Sequence, residues 1–228
     1  MVVLSEMPVP LHVGLTYVDD RVTDIIFVTV EQIDQVLSLS GPVDARDWIG
    51  RIVRWLQVRC IAFDRSGRLE RGQRKVQAGV WLASMDDADV YSAWFGVNYN
   101  LVQTRRMLLS DDPVYLMAAD LRMVLYGMAY LFWDYFNIPR LRWEGEKAAV
   151  RYLEADDPGF LEMFWEFVAE TDRALKFELY ERMAETTTAP AGGLWGDSVT
   201  AIQFEPGSSL GAGAIKRGLG LWDDLLKG

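Results

Sequence analysis

Strand-forming sequence is confined to the start of this chain, and that confinement limits the fold more than any other feature. Leu11, Val13, Leu15 and Tyr17 alternate with His12, Gly14 and Thr16, the period of two that puts apolar side chains on one face of a strand. Asp19-Asp20 supply a turn, and Arg21 to Val30 follows as a second, more apolar strand rich in β-branched residues. The pair predicts a hairpin. Thr29 with Gln32 three residues on has the form of a capping box, and Ile33, Val36 and Leu37 continue at helical spacing until Ser40-Gly41-Pro42. A second helix is expected over 43–56, with Trp48, Ile52 and Trp55 along one side. A short buried strand is expected over 58–63, closed by the turn Asp64-Arg65-Ser66-Gly67.

From Arg68 the pattern changes to that of helices. Residues 68–109 read as helical with a break near Met85 to Asp89, and Ser110-Asp111-Asp112-Pro113 is a stop followed by a proline at a first helical position. Val114 to Tyr135 is apolar nearly all round, which predicts the most buried helix. Glu144 to Leu153 is a shorter helix. Asp156-Asp157-Pro158 opens a last long one with a stripe at Leu161, Phe164, Val168, Leu175, Leu179 and Met183. A tail with Pro190, Gly192-Gly193 and Pro206-Gly207 follows and ends in a short helix near Leu221. The expected class is α+β: an incomplete mixed β-sheet part over 1–67, a helical bundle over 68–187, and a loop-rich tail over 188–228 packing on the bundle.

Composition bounds the chemistry. In 228 residues, half hydrophobic and a quarter charged, there is material for a sizeable core, unlike a disordered chain or a disulfide scaffold. A net charge of −10 argues against broad binding to a phosphate backbone. One cysteine, Cys60, allows no internal disulfide, and one histidine, His12, allows no His/Cys zinc site. A metal here would rest on carboxylates, which suits magnesium or manganese. Tyr115 to Phe136 is long enough to span a bilayer, but Asp120, Arg122 and Asp134 interrupt it, at roughly 2.5–3.5 kcal/mol each near a membrane centre. Met1 to Leu11 lacks the basic start and apolar run of a signal peptide. A cytoplasmic protein with no membrane partner is therefore expected.

The most informative polar residue is Asp24. On an alternating strand it shares a face with Val22, Ile26 and Val28, where a carboxylate is costly unless paired or bound to a metal. Two readings stand: a solvated carboxylate at a strand end near the turn, or a metal-binding or catalytic carboxylate projecting from the sheet. Weaker candidates are Arg105-Arg106, Arg140 and Arg142 as phosphate contacts and Trp143 and Lys147 at the border of a ligand cleft. For each of these the alternative is an ordinary solvated face. Asp87-Ala88-Asp89 matches an acid-x-acid pattern, but lies in a helical stretch where residues two apart diverge, so a cap or kink is expected. His12 reads as structural. Gly211-Ala212-Gly213 lacks the third glycine and the leading strand of a dinucleotide fingerprint.

The run Tyr17-Val18-Asp19-Asp20-Arg21-Val22-Thr23-Asp24-Ile25-Ile26-Phe27-Val28-Thr29 resembles the third-carboxylate strand of the nucleotidyltransferase superfamily, which includes the small bacterial and aminoglycoside nucleotidyltransferases. The Asp64 to Gly67 turn, the segment Pro139 to Lys147 and the run Pro190 to Trp195 are similar to later parts of such proteins, so the likeness spans about residues 11 to 195. The resemblance implies transfer of a nucleoside monophosphate from a nucleoside triphosphate to a hydroxyl, with Mg2+. Asp24 would be metal ligand or base, and Arg142 and Lys147 would contact the nucleotide. The family pattern also begins with a Gly-Ser turn and an Asp-x-Asp strand that cradle the triphosphate and hold two magnesium ions. Neither stands before Asp24 here. The expectation is a nucleotidyltransferase-like protein that is catalytically incomplete as given. Its alternative is a non-catalytic protein whose bundle binds a small molecule or a partner subunit. An uncovered hairpin would pair with a second copy as a homodimer.

Overall fold

The computed structural model describes residues 1–45, 47–58, 60–83, 85–141, 145–196, 201–203 and 213–227. It is an α+β protein made of two compact units, Met1–Ser84 and Met85–Gly228. The division falls later than Gly67 because the helix after Gly67 packs into the first unit.

In that unit β1 (Val2–Leu4), β2 (Val13–Val18) and β3 (Arg21–Thr29) form a mixed sheet in the order β1-β3-β2. β2 and β3 make the expected hairpin, with Val13 opposite Ile26, Leu15 opposite Asp24 and Tyr17 opposite Val22. Asp19 and Asp20 both adopt positive φ, 48° and 60°. That is the two-residue turn whose twist suits a hairpin, in a residue type that tolerates the left-handed region. β1 pairs in parallel with the far end of β3, Val3 opposite Val28. Three residues are too few to show an alternation, so the sequence reading found no strand there.

Thr29 caps α1 (Val30–Ser38) as its spacing predicts. The Thr29 hydroxyl accepts from the Gln32 amide at 3.3 Å, and the Gln32 side chain accepts from the Thr29 amide at 2.8 Å. α2 runs over Trp48–Val58 and α3 over Arg68–Gln77. The three helices and β3 enclose Val28, Ile33, Val36, Ile52, Val53, Leu56 and Val76. Lys75 locks α3 to the end of α1: its ammonium donates to the carbonyls of Leu37 and Leu39 at 2.5 and 2.6 Å and sits 4.6 Å from the Trp81 ring centre. It thereby satisfies carbonyls that a helix end leaves open. Among the described residues the buried strand expected over 58–63 is absent: α2 runs to Val58, and Cys60 and Phe63 are exposed. A short apolar run has no period by which to tell a helix end from a strand.

The second unit is a helical bundle. α4 (Asp87–Leu108) and α5 (Pro113–Arg122) are joined by a short turn, and the chain then continues without a break through a π-helical segment, Met123–Leu131, into α6 (Phe132–Asn137). α7 (Glu146–Asp156), α8 (Pro158–Ala169) and α9 (Arg173–Thr188) complete it. The single long helix expected from Asp156 is two, because Asp172 caps a new start by accepting from the Leu175 amide at 3.0 Å. The core gathers Leu101, Met123, Leu131, Phe136, Leu153, Phe160, Phe167, Tyr180 and Met183. Gly127 permits the close approach of the π segment to α8: a Cβ there would lie 2.4 Å from the Phe167 ring. A bidentate ion pair, Arg173 to Asp120 at 2.8 Å, ties the start of α9 to α5. After α9 the tail bonds back to α4, and α10 (Ala214–Lys227) ends the described chain.

Candidate functional site

Asp24 stands on β3 opposite Leu15 and is exposed, and its carboxylate has no hydrogen bond or ion pair among the described residues. The face Val22, Asp24, Ile26, Val28 grades from exposed to fully buried, with Val22 60% and Val28 0% accessible. Water therefore reaches the carboxylate that the sequence set among apolar neighbours, and burial imposes no need for a metal or a cation beside it. Among the described residues no three His, Cys, Asp or Glu side chains come together. Arg142 lies outside the described residues, as do Trp143 and Glu144. Lys147 is exposed in the first turn of α7. Asp24 belongs to the first unit and Lys147 to the second.

The other sequence candidates have structural occupations. Asp86 and Asp89 form a reciprocal capping box at the start of α4, and Asp87 pairs with Arg140. Arg105 pairs with Glu181 on α9. His12 packs edge-on against Trp48, with ring centres 4.8 Å apart. A shallow cleft of about 550 Å³ lies beside that tryptophan, lined by Gln35, Ser38, Ser40, Val43, Asp47 and Trp48.

Two further features of the bundle went unread in the sequence. Asn98 is 1% exposed on α4 and clasps the tail. Its amide donates to the Trp94 carbonyl at 3.0 Å and to the Gly193 carbonyl at 3.4 Å, and its carbonyl accepts from the Trp195 amide at 2.6 Å. Trp94 adds an indole bond to the same Gly193 carbonyl at 2.7 Å. A polar residue between Val97 and Leu101 in a helix was the available signal. Asp134, on α6, is half-buried. Loss of water pushes its carboxyl up to about 7, opposed by the Asn137 amide at 3.5 Å.

The largest feature with binding chemistry is the outer side of α5 and the π segment. Val114, Met117, Leu121, Val124 and Met128 are all exposed, Leu121 by 63%, and they recur at steps of three, four, three and four. The stripe runs from α5 into the π-helical segment, which carries Val124 and Met128. Leu125 widens the stripe. This corrects the expectation that the helix from Val114 is the most buried: its inner side carries Ala119, Met123 and Leu131 into the core, while its outer side is equally apolar and open. The stretch Pro113–Asn137 is long and apolar enough to cross a membrane by length and composition, yet its inner face packs on α4 and α9 and its Asp120 is paired with Arg173. Comparison with known protein families, curated proteins and solved structures gives no match.

Proposed function

We propose that this chain is a nucleotidyltransferase-like protein that works by holding another protein chain rather than by transferring a nucleotide. The observation that supports it is the open stripe Val114, Met117, Leu121, Val124, Met128 on a helix whose opposite face is fully packed. A contiguous apolar surface of this kind marks an association site in soluble proteins. The relation to nucleotidyltransferases rests on the resemblance around Asp24. The non-catalytic part of the reading is supported by the solitary, solvated setting of that carboxylate, since two-metal transfer requires several fixed carboxylates around the ions.

Sedimentation velocity tests the reading. The purified chain is expected to associate at tens of micromolar, and Leu121→Asp with Val124→Asp to abolish association without changing the far-ultraviolet circular dichroism. Unaltered association in that variant refutes the stripe as the binding surface. Calorimetric titration with Mg2+ and nucleoside triphosphates is expected to give no binding heat. Binding lost in Asp24→Ala would restore the catalytic reading.

A further inference from the structure

We infer that the turn before α3 and the exposed side of that helix bind single-stranded nucleic acid. The inference lies in the first unit and goes beyond the association proposed for the bundle.

The charge of −10 is not spread along the chain. Met1–Ser84 holds ten Asp and Glu and ten Lys and Arg, so the whole excess of acid falls in Met85–Gly228. Within the first unit the basic residues are concentrated again: residues 46–75 carry eight arginines and one lysine against three acids. A local cationic surface on an acidic chain attracts a polyanion there and repels it elsewhere, which limits the contact to a few phosphates.

The structure separates the arginines that are occupied from those that are open. Arg68 pairs with Asp34 on α1 at 3.2 Å, and Lys75 is taken up by the carbonyls at the end of α1. Arg65, Arg71 and Arg74 are exposed and have no carboxylate within ion-pair distance among the described residues. Arg71 and Arg74 stand one turn apart on α3, and Arg71 reaches back to donate to the Ser66 carbonyl at 3.3 Å. Asp64, next to Arg65, is occupied by backbone: it accepts from the Ser66 amide at 3.2 Å and from the Glu70 amide at 2.9 Å. Those bonds hold the turn in one shape. Phe63 leads into it and is 78% exposed. An open ring beside open guanidiniums can stack a base and hold its phosphates.

Other polyanions fit this surface less well. A lipid-binding helix needs an apolar face beside its charges, but Leu69 and Val76 of α3 pack into the unit. The exposed Phe63 and Val80 stand beyond opposite ends of the helix. A surface of carboxylates would engage the arginines and leave Phe63 without a role. A duplex keeps its bases stacked on one another, so the ring selects a single strand.

The test is fluorescence anisotropy of the full-length chain with a labelled mixed-sequence single strand of about 15 nucleotides. Binding is expected at about 50 mM salt and is weakened roughly fifteenfold at about 200 mM, as about three phosphates lose their counterions. Arg71→Ala with Arg74→Ala is expected to bind more weakly and to reduce that salt effect to roughly threefold. Phe63→Ala is expected to bind about tenfold more weakly with the salt effect unchanged. Glu70→Gln removes the one acid in α3 and is expected to bind about twofold more tightly, a gain that misfolding does not produce. No binding by wild type overturns the inference, including the case in which the chain instead floats with phosphatidylserine vesicles. So does wild-type affinity in either of the weakened variants, or competition by polyglutamate or a duplex of the same length that equals the unlabelled single strand. None of these outcomes bears on the stripe, which sedimentation tests separately.

Discussion

The hairpin and the bundle both leave apolar side chains in water, for opposite reasons. In the hairpin, Val13, Leu15, Tyr17 and Val22 lie on one face of two strands and are exposed, and among the described residues of the first unit no second layer covers that end of the sheet. β1 reaches only the last residues of β3, so the tip is a ribbon with free edges as well. In the bundle the layers are complete, and the open residues lie on the outside of a helix that is apolar on both sides. A strand exposes what the fold does not extend to cover, whereas this helix carries more apolar surface than one core can use. Periodicity identifies side chains that share a face. Whether a neighbour covers the face depends on other elements.

The sharpest contrast is energetic. Phe167, fully buried against Gly127, is expected to cost about 3–5 kcal/mol when cut to Ala, whereas Leu15→Ala on the hairpin is expected to cost under about 0.5 kcal/mol. Urea midpoints decide it, and a large loss at Leu15 would show that its face is covered. A second contrast is in pH. With a folded pKa of about 7 against 3.8 for its unperturbed state, Asp134 holds its proton when folded and releases it on unfolding between those values. Its favourable contribution is complete below about pH 4 and is lost as pH rises towards 7, by up to about 1.4 kcal/mol per pH unit. Asp120 runs the other way, held low by Arg173, so its contribution is lost only in acid. Asp134→Asn is expected to flatten the urea midpoint between pH 5 and 7. A slope unchanged from wild type would place that carboxyl in water.

Smaller effects probe the sheet. Ile26→Asp puts a charge at a half-buried position beside Val28 and is expected to cost about 1–3 kcal/mol. The smallest change is expected from Asp24→Asn, within about 0.5 kcal/mol of wild type, because the carboxylate is exposed and unpartnered. A larger loss there would mean that Asp24 has a partner in the folded protein.

The α+β class, the β2–β3 hairpin, the Thr29 cap and the proline starts of α5 and α8 were legible because each is local: alternation, a turn pair, a residue and its partner three positions on. β1 was not, since its place depends on pairing with Phe27 to Thr29 far along the chain. The contact division falls at Ser84 rather than Gly67 because α3 puts Val76 into the core of the first unit and Lys75 bonds to the end of α1, and no spacing encodes those contacts. The site was less legible than the fold. Asp24 drew attention by its apolar neighbours, yet their exposure is decided by the missing layer above them. The stripe from Val114 to Met128 was readable as a repeat, but an all-round apolar helix points inward on every side until the core is counted and found full.

The clasp at Asn98 also sets an order of events during synthesis. Asn98 and Trp94 leave the ribosome long before Gly193, from which Asn98 is separated by 95 positions. At 5–20 residues per second the wait is about 5–20 s. Throughout that time the helix hairpin that begins the bundle lacks the acceptor its indole and amide are placed to meet. That pocket closes only once Gly193 and Trp195 have been made, so nascent bundles expose a wet, aromatic notch that folded ones do not, and a chaperone that favours such surfaces would tell the two apart.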